Sequence, residues 1–512
     1  MDSPTPSIRP TKDEKPGDGD AAGHNASIIE IPLAEQTMFK RVLHRVKGVT
    51  GLETRGIERV PDDLRYPRNT ARSYLEMFLV WFSINCTANN MTVGILGPIA
   101  FGLSFTDAAL CCVFGTMVGS AFTGYISSYG PVTGLRTLVI ARYTMGYWPS
   151  RICVVLNLVI EIGYGLVDCL VGGLILSAVN GQGMSVIVGI VVSSIITWVV
   201  ATLGIKWFRA IERYVWMPTV LLLFIFIGVA GPNFDIHTSS TGSTAVVAGH
   251  RLSYFFLCAS GPLGWAPASA DFYSYYPSNT PRYMTAAMAA AGITAGKLLI
   301  EILGIGLASG LGNVPAWAEA FDHSAGHLIA ESYAPLGNFG KFCAVILAIC
   351  VSANNIPGTY AAGLNFQMLG RPFAKIPRPV WSTVAVVIYT VCAIAGREQL
   401  FSIFLNFLSL VGYWVILWII MTLEEEFIFR RTRGSDWDAW DDADYLPAGF
   451  AALASFLIGW AGAILCMSQT YYTGSIAKLV GGGADLGLPV SMSWTALVYP
   501  PLRYLELKYM RK

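Results

Sequence analysis

Long apolar runs recur along almost the whole chain, and they restrict its fold more than any other feature. A bilayer core about 30 Å thick requires roughly 20 apolar residues for each helix that crosses it. Charged residues make up only 13% of the sequence, about half of the share that is usual in soluble domains. The chain is therefore predicted to be an all-α integral membrane protein of about twelve transmembrane helices. The predicted spans are near 77–104, 107–129, 150–180, 184–204, 212–231, 251–275, 283–312, 338–364, 379–396, 400–424, 447–468 and 487–504.

Basic residues are concentrated in every second loop between these spans. Lys and Arg are enriched in the cytoplasmic loops of membrane proteins, so the even-numbered loops and both termini are predicted to be cytoplasmic. The formal net charge of +1 gives no indication of a nucleic-acid partner. The basic residues that follow spans 2, 4, 6, 8 and 10 are Arg136, Arg142, Arg151, Lys206, Arg209, Arg213, Arg282, Arg371, Lys375, Arg378, Arg430, Arg431 and Arg433.

Two spans carry helix-breaking residues at membrane depth. Span 1 contains Asn85, Gly97 and Pro98, and span 6 contains Gly264 and Pro267. Proline lacks a backbone donor, and freed backbone groups are tolerated in a membrane only where protein buries them or a wet cavity exposes them. Paired interrupted helices at matching places in two halves indicate a midplane binding site in secondary transporters. The alternative is that these residues only kink two helices to improve their packing.

Spans 1 and 6 each open a set of five helices, and an odd number of spans per set means that the second set inserts upside down. The sequence therefore predicts a five-plus-five inverted repeat with two extra C-terminal helices. The predicted regions are a cytoplasmic tail at 1–70 with a disordered first part, the ten-helix transport core at 71–424, a cytoplasmic loop at 425–446, helices 11 and 12 at 447–504, and a cytoplasmic tail at 505–512.

Span 3 carries two ionisable residues, Glu161 and Asp168, which lie seven residues apart and share a helix face. Tyr164 lies between them, four residues before Asp168, on the same face. Ionisable residues inside a span are costly and are functional candidates by default. The corresponding span of the second repeat, span 8, places Asn354 and Asn355 in mid-membrane. Substrate binding is predicted for Tyr164, Asp168, Asn354 and Asn355, and proton coupling for Asp168 or Glu161.

Further candidates lie at and near the two breaks. Trp265, which follows Gly264, is predicted to stack on a ligand, and Ser83 and Asn85 are candidate binding groups before the first break. Asn85 has an alternative role, which is to cap a half-helix. Asn89 and Asn90 at the same break are additional candidates.

Three other positions have weaker signals. Lys297 and Glu301 are separated by four residues in span 7, and this spacing favours a structural ion pair. Asn406 in span 10 is either a gate or a packing hydrogen bond. Pro357, just after the span 8 asparagines, loosens the next turn and is a second gating candidate.

Two motifs resemble a known family. The stretch GPVTGLRTLVIARYTMG at 130–146 resembles the loop after helix 2 of the nucleobase–cation symport-1 family. The ANNIPGTY stretch in span 8 is similar to the fungal purine–cytosine permease branch. The resemblance covers about residues 40–510 and implies the leucine-transporter-like fold. It also implies proton-coupled uptake of adenine, guanine, hypoxanthine and cytosine at the plasma membrane, whereas related bacterial members use sodium.

The resemblance also implies roles for individual residues. Family members stack the ligand ring between an aromatic on helix 3 and a Trp at the helix 6 break, at positions similar to Tyr164 and Trp265. The helix 8 asparagine of the family matches Asn354 or Asn355, and the sequence leaves the register open. The polar helix 3 residue is often Gln in the family, and Asp168 stands here instead.

A binding hypothesis follows from these residues. A base enters from outside and stacks between Trp265 and Tyr164, and stacking contributes on the order of 1–3 kcal/mol per base. An Asn amide offers an acceptor and a donor to the base edge, while Asp168 accepts from an N–H. Uracil has the opposite edge pattern and is predicted to be rejected. The co-transported proton is held by Asp168 or Glu161. The alternative is a sodium ion held by span 1 carbonyls near Asn85 and hydroxyls such as Ser352.

Other classes of protein fit less well. The six histidines lie outside the spans or at their edges and form no metal cluster, so neither an enzyme nor a resident metal or cofactor is predicted. A channel would require pore-lining rings or a repeated filter. The remaining alternatives are a sodium-coupled symporter of another small heterocycle and an amino-acid transporter on the same fold.

Overall fold

The structure, a computed structural model, describes residues 56–179, 183–203, 205–430 and 435–510. The prediction of a disordered first part of the N-terminal tail lies outside the described residues. The long helices are α1 (Ala71–Asn85), α2 (Asn89–Phe101), α3 (Phe105–Ser127), α4 (Ser150–Val179), α5 (Val186–Leu203), α6 (Ile205–Ala230), α7 (Thr244–Leu263), α8 (Arg282–Ser309), α9 (Asn338–Met368), α10 (Arg378–Ala395), α11 (Leu400–Glu424), α12 (Phe450–Cys466) and α13 (Gly487–Met510). A small antiparallel hairpin, β1 (Ser468–Gln469) and β2 (Tyr472–Thr473), connects α12 to α13.

Local sequence explains several helix ends. The Thr70 side chain accepts from the backbone of Ser73 at 3.2 Å and caps α1, which satisfies a donor that has no partner within the helix. Ser104 caps α3 by accepting from Asp107 N at 3.1 Å. Gly102 ends α2 with a φ of 58°, a left-handed conformation in which a side chain would be strained.

Among the described residues, seven helices are long and apolar enough to cross a membrane, and Val186–Thr202 and Phe450–Cys466 form shorter apolar helices. Of the twelve predicted spans, numbers 1, 6 and 12 correspond to none of these nine helices. Span 1 consists of two half-helices, α1 and α2, and span 6 is interrupted after α7. The last helix, α13, continues to Met510, so it includes most of the segment that the sequence analysis assigned to the C-terminal tail.

The helices form two groups that contact each other at the site. In the first group, α8 packs against α1, α2 and α3, and α3 also packs against α7. In the second group, α4 packs against α5, α9 and α10. Helix α11 joins the core to α13 and also packs against α7. This division places residues of the interrupted helices opposite residues of α4 and α9.

Small residues bring the helices of the first group into close contact. A Cβ added to Gly94 would lie 2.0 Å from the carbonyl oxygen of Glu301, and one added to Gly304 would lie 2.1 Å from that of Met91. Helix α3 approaches α7 in the same way at Gly119, where a Cβ would lie 2.1 Å from the carbonyl oxygen of Ala259. Such contacts replace hydrophobic attraction as the main source of helix association in lipid.

Candidate functional site

The first span breaks between Asn85 and Asn89. Helix α1 ends at Asn85, whose side chain donates to Trp81 O at 2.9 Å, and Cys86 leaves the helix with φ −85° and ψ 66°. Across the gap, Asn90 Nδ2 donates to Asn85 O at 2.7 Å. The freed carbonyl of Asn85 is thus satisfied by Asn90, while the Asn85 side chain bonds back to its own helix, and its role in binding or capping stays a prediction. Pro98 lies within α2 rather than at the break.

The second interruption, in span 6, is less abrupt. Helix α7 ends at Leu263, and the chain continues through Gly264 and Trp265 into a helical turn, Ala266–Ser269. Two carbonyls at this point receive side-chain donors: Gly261 O accepts from the Tyr164 hydroxyl at 3.2 Å, and Pro262 O accepts from a threonine on α3 at 2.8 Å. The interruption thus places Trp265 beside α4.

Two aromatic rings form a wall of the site. The rings of Tyr164 and Trp265 are stacked with centroids 5.9 Å apart and an interplanar angle of 9°. Trp81 contacts Trp265 edge-on at 5.8 Å, and Phe407 contacts Tyr164 edge-on at 5.1 Å. Carbon atoms in contact are about 3.5–4 Å apart, so a ring between two others requires about 7 Å or more. The stacked rings must therefore move apart to admit a planar ligand.

Gly264 allows this arrangement, because a Cβ there would lie 2.8 Å from the Tyr164 hydroxyl oxygen.

A carboxylate with two amide partners lies next to the rings. Asp168 Oδ1 accepts from Asn89 Nδ2 at 2.5 Å, and Asp168 Oδ2 accepts from Asn354 Nδ2 at 3.2 Å. Asn355 instead donates to Gly165 O at 3.3 Å. The other side-chain atom of Asn354, Oδ1, is buried and has no hydrogen-bond partner in the described part of the chain. Asn354 therefore presents an unused acceptor beside the carboxylate.

These groups surround one small cavity between the two helix groups, with a volume of about 10 Å³, which is room for about one water molecule. Asn89 and Lys297 belong to its lining although the sequence analysis gave them lesser roles. A polar side chain at membrane depth was the signal that could have found both residues. The cavity is lined by Ile84, Asn85, Asn89, Asn90, Tyr164, Asp168, Trp265, Lys297, Asn354, Asn355 and Gly358.

The ion pair predicted in span 7 is present. Lys297 Nζ lies 3.1 Å from Glu301 Oε1, and both side chains are buried. Glu301 Oε2 accepts from the Thr116 hydroxyl at 3.0 Å, and Lys297 donates to Asn90 Oδ1 at 2.7 Å. The pair therefore connects α3 and α8 with the break in span 1.

Five predicted site residues lie outside the cavity lining: Ser83, Glu161, Gly264, Pro357 and Asn406. Glu161 is buried beside Gly358, and its nearest described donor is Asn157 Nδ2 at 3.5 Å. The Ser83 hydroxyl is buried and has no hydrogen-bond partner among the described residues. Neither Glu161 nor Asp168 forms an ion pair with a described cation.

The two gating candidates occupy different surroundings. The Asn406 side chain donates to Thr470 Oγ1 at 2.6 Å and accepts from Thr470 N at 3.0 Å. These bonds attach α11 to the β1–β2 turn, as a packing role requires, and Asn406 lies outside the cavity lining. Pro357 is buried within α9. A gating role for either residue stays a prediction.

Comparison with known proteins identifies the family. A family profile described as permease for cytosine/purines, uracil, thiamine, allantoin matches residues 67–490. The chain belongs to this permease family. The resemblance to the fungal purine–cytosine permeases is thus confirmed, and the permease is a multi-pass membrane transport protein rather than an enzyme, as predicted. Among the described residues, no group of three or more His, Cys, Asp and Glu side chains is placed to hold a metal ion.

Individual relatives include transporters of two ligand types. The permease is 30% identical over 552 residues to the vitamin B6 transporter TPN1 of Saccharomyces cerevisiae, covering 96% of this chain and 95% of the relative. It is 31% identical over 474 residues to the purine-cytosine permease FCY2 of the same yeast, covering 91% and 88%. It is 29% identical over 470 residues to the purine-cytosine permease fcyB of Emericella nidulans, covering 91% of each chain.

Solved structures establish the fold. Mhp1, a nucleobase-cation-symport-1 family transporter in a closed conformation with bromovinylhydantoin bound, superposes with a TM-score of 0.66 at 13% identity. The match covers 89% of the permease and 96% of that chain. The inward-facing conformation of Mhp1 gives a TM-score of 0.63. The predicted all-α, five-plus-five inverted-repeat fold is therefore confirmed.

Proposed function

We propose that the permease imports purine bases and cytosine together with protons. The observation that carries this proposal is the stacked pair of Tyr164 and Trp265 next to Asp168 and the unpartnered Oδ1 of Asn354. Aromatic walls favour a flat ring of any base type, because every base has a π-face. Two acceptors beside the rings favour a ring that carries N–H donors at its edge.

Recognition then depends on the base edge. Cytosine and adenine each carry an exocyclic amine with two N–H donors, and guanine and hypoxanthine carry ring N–H groups. Asp168 accepts one of these donors and Asn354 Oδ1 accepts another. Uracil carries an oxygen where cytosine carries the amine, so in the orientation that cytosine adopts one of the site's acceptors would face another acceptor. A buried polar group without a partner costs about 1–3 kcal/mol, which supports a preference for cytosine over uracil.

Proton coupling is supported by the charges around the cavity. Asp168 receives two amide donors, while the nearby Lys297 is already paired with Glu301. A buried carboxylate without a cation costs several kcal/mol when the site closes around it. A proton on Asp168 removes that cost, and Glu161 is a second candidate carrier.

The sodium alternative has less support, because its hydroxyl ligand is engaged elsewhere. Ser352 Oγ lies 2.6 Å from Ser193 Oγ on α5. Ser352 is also outside the cavity lining.

Uptake of radiolabelled cytosine by cells that lack their own base importers tests the proposal. Wild-type uptake should be faster at external pH 5 than at pH 7, should collapse when a protonophore is added, and should be unchanged when choline replaces sodium. Asp168→Asn, which keeps the shape of the side chain, should lose the dependence on pH and protonophore. Uptake that requires sodium and ignores the protonophore would contradict proton coupling.

A second candidate substrate is a vitamin B6 compound. The similarity to the vitamin B6 transporter extends over 96% of the chain, compared with 91% for the yeast purine-cytosine permease. Pyridoxine is also a flat ring with polar substituents, so the aromatic walls suit it. Competition of labelled cytosine uptake with unlabelled adenine, pyridoxine and leucine separates bases, vitamin B6 and amino acids.

We place the permease in the plasma membrane on the basis of its resemblance to the fungal purine–cytosine permeases, and both termini in the cytoplasm on the basis of its basic loops. An N-terminal epitope tag should bind antibody only after the cells are permeabilised.

A further inference from the structure

Lys297 is a cation at the wall of the cavity, and the binding scheme above gives it no part. Its Nζ donates to Asn90 Oδ1 at 2.7 Å and lies 3.1 Å from Glu301 Oε1. The side chain also lies against the backbone at the second interruption, because a Cβ added to Gly261 would be 3.1 Å from Nζ. Gly261 O accepts the hydroxyl of Tyr164. The ammonium group is therefore close to both interrupted helices and to an aromatic wall.

The ammonium group is held in position and keeps donors for a ligand. A lysine side chain carries three N–H donors, and one of them goes to Asn90 Oδ1. The contact with Glu301 Oε1 is an ion pair without hydrogen-bond geometry. Both partners are fixed in turn: Asn90 donates to Asn85 O at 2.7 Å, and Glu301 accepts from Thr116 at 3.0 Å. Since Lys297 lines the cavity, an N–H that Asn90 does not use is available to a ligand there.

The ion pair of Lys297 with Glu301 determines which kind of ligand acceptor the ammonium group suits. Glu301 offsets the charge of Lys297, so the ammonium group is not a free cation that would attract a phosphate or a carboxylate. A fixed donor beside a neutralising carboxylate suits a neutral oxygen acceptor, such as the carbonyl of a heterocycle. Asp168 presents the complementary acceptor from α4, in the other helix group.

We propose that Lys297 is a specificity residue that donates a hydrogen bond to an exocyclic oxygen of the ligand. The inference rests on the proposed function and ranks the proposed bases, with those that carry an exocyclic oxygen bound more tightly than adenine. The preferred ligand is a flat, neutral ring with an N–H edge at Asp168 and an oxygen at Lys297. Cytosine, guanine and hypoxanthine have such an oxygen, whereas adenine has none. Lys297 therefore favours hypoxanthine over adenine, which differ at the 6-position by an oxygen in place of an amine.

The test compares these two bases in one assay, with labelled adenine as tracer and hypoxanthine as competitor. Replacing Lys297 alone would leave Glu301 buried and unpaired, so the variant is the double substitution Lys297→Met with Glu301→Gln. The control removes another ion pair outside the cavity, between Arg282 and Glu426, as Arg282→Gln with Glu426→Gln. Fluorescent fusions of all variants give the amount of permease at the cell surface.

The expected result is a change in selectivity. A hydrogen bond to a charged group contributes about 1.5–3 kcal/mol, so the ratio of the hypoxanthine Ki to the adenine KM should rise about tenfold to a hundredfold. The control variant should keep the wild-type ratio. An equal loss for both bases, or an unchanged ratio, would overturn the inference and leave base transport itself standing.

Failure of the proposed function gives a different result, in which the wild type takes up neither base. Pyridoxine and 3-deoxypyridoxine, which lacks the 3-hydroxyl group of the pyridine ring, then replace hypoxanthine and adenine in the same variants. A selective loss of pyridoxine binding in the double variant supports the role of Lys297. Equal losses overturn it.

Discussion

Replacing Asn354 with alanine should weaken substrate binding by about thirtyfold. The substitution removes the unpartnered Oδ1 and also the Nδ2 that donates to Asp168 at 3.2 Å. The ligand N–H that met Oδ1 would then be buried without a partner, which costs about 1–3 kcal/mol. A loss of about 2 kcal/mol corresponds to about thirtyfold in Ki. The contact between Tyr164 and Trp265 is unaffected, so the site keeps its walls.

The assay is competition of labelled cytosine uptake, normalised to the surface amount of a fluorescent fusion. Asn365→Ala is the matched control, because Asn365 lies on the same helix, is buried, and likewise has an unpartnered amide atom, Nδ2, while it is absent from the cavity lining. Its Ki should stay within about threefold of wild type. A wild-type Ki for Asn354→Ala, or an equal loss for Asn365→Ala, would refute the assignment of the acceptor.

Three further predictions concern packing, the gate and the proton carrier. Gly94→Ala should lower the free energy of unfolding by about 1–3 kcal/mol, because its Cβ would lie 2.0 Å from a carbonyl oxygen on α8. Gly228→Ala should not lower it, because a Cβ there meets nothing within 4 Å. Thermal-shift curves in detergent compare the two variants. Asn406→Ala removes both bonds to Thr470, whereas Thr470→Ala keeps the bond from its backbone N to Asn406 Oδ1. Both variants should have a small effect on uptake, with the larger effect for Asn406→Ala, and altered substrate selectivity in Asn406→Ala alone would favour a gate. Glu161→Gln should keep protonophore-sensitive uptake, since this residue lies outside the cavity lining, and loss of that sensitivity would make it the carrier.

Much of the fold was predictable because the length of each apolar run and the position of each basic loop can be read from a short stretch of sequence. The break in span 1 was also predictable, and the structure has it after Asn85 and before Asn89, as the sequence analysis placed it. The partner of the freed backbone was not predictable: Asn90 Nδ2 donates to Asn85 O across the gap. Pro98, a helix-breaking residue by type, is tolerated inside α2.

The site was predictable in its residue types and less so in its pairings. Adjacent residues on a helix point about 100° apart, so the sequence could not decide between Asn354 and Asn355, and the contact with Asp168 depends on how α9 meets α4. The spacing of Lys297 and Glu301 predicted their ion pair correctly. It carried no information about α2, where Lys297 contacts Asn90, because that contact is between distant parts of the sequence.

The direct contact of Tyr164 and Trp265 has a consequence for solute entry. A solute enters only if it replaces one ring–ring contact with two contacts of its own, and a solute without a flat face gains nothing from parting the rings. In this arrangement Asp168 is 2% exposed and Asn354 6%, which leaves little room for a water chain along which a proton would pass alone. Parting of the rings by a flat cargo would therefore couple entry of the cargo to the access of protons.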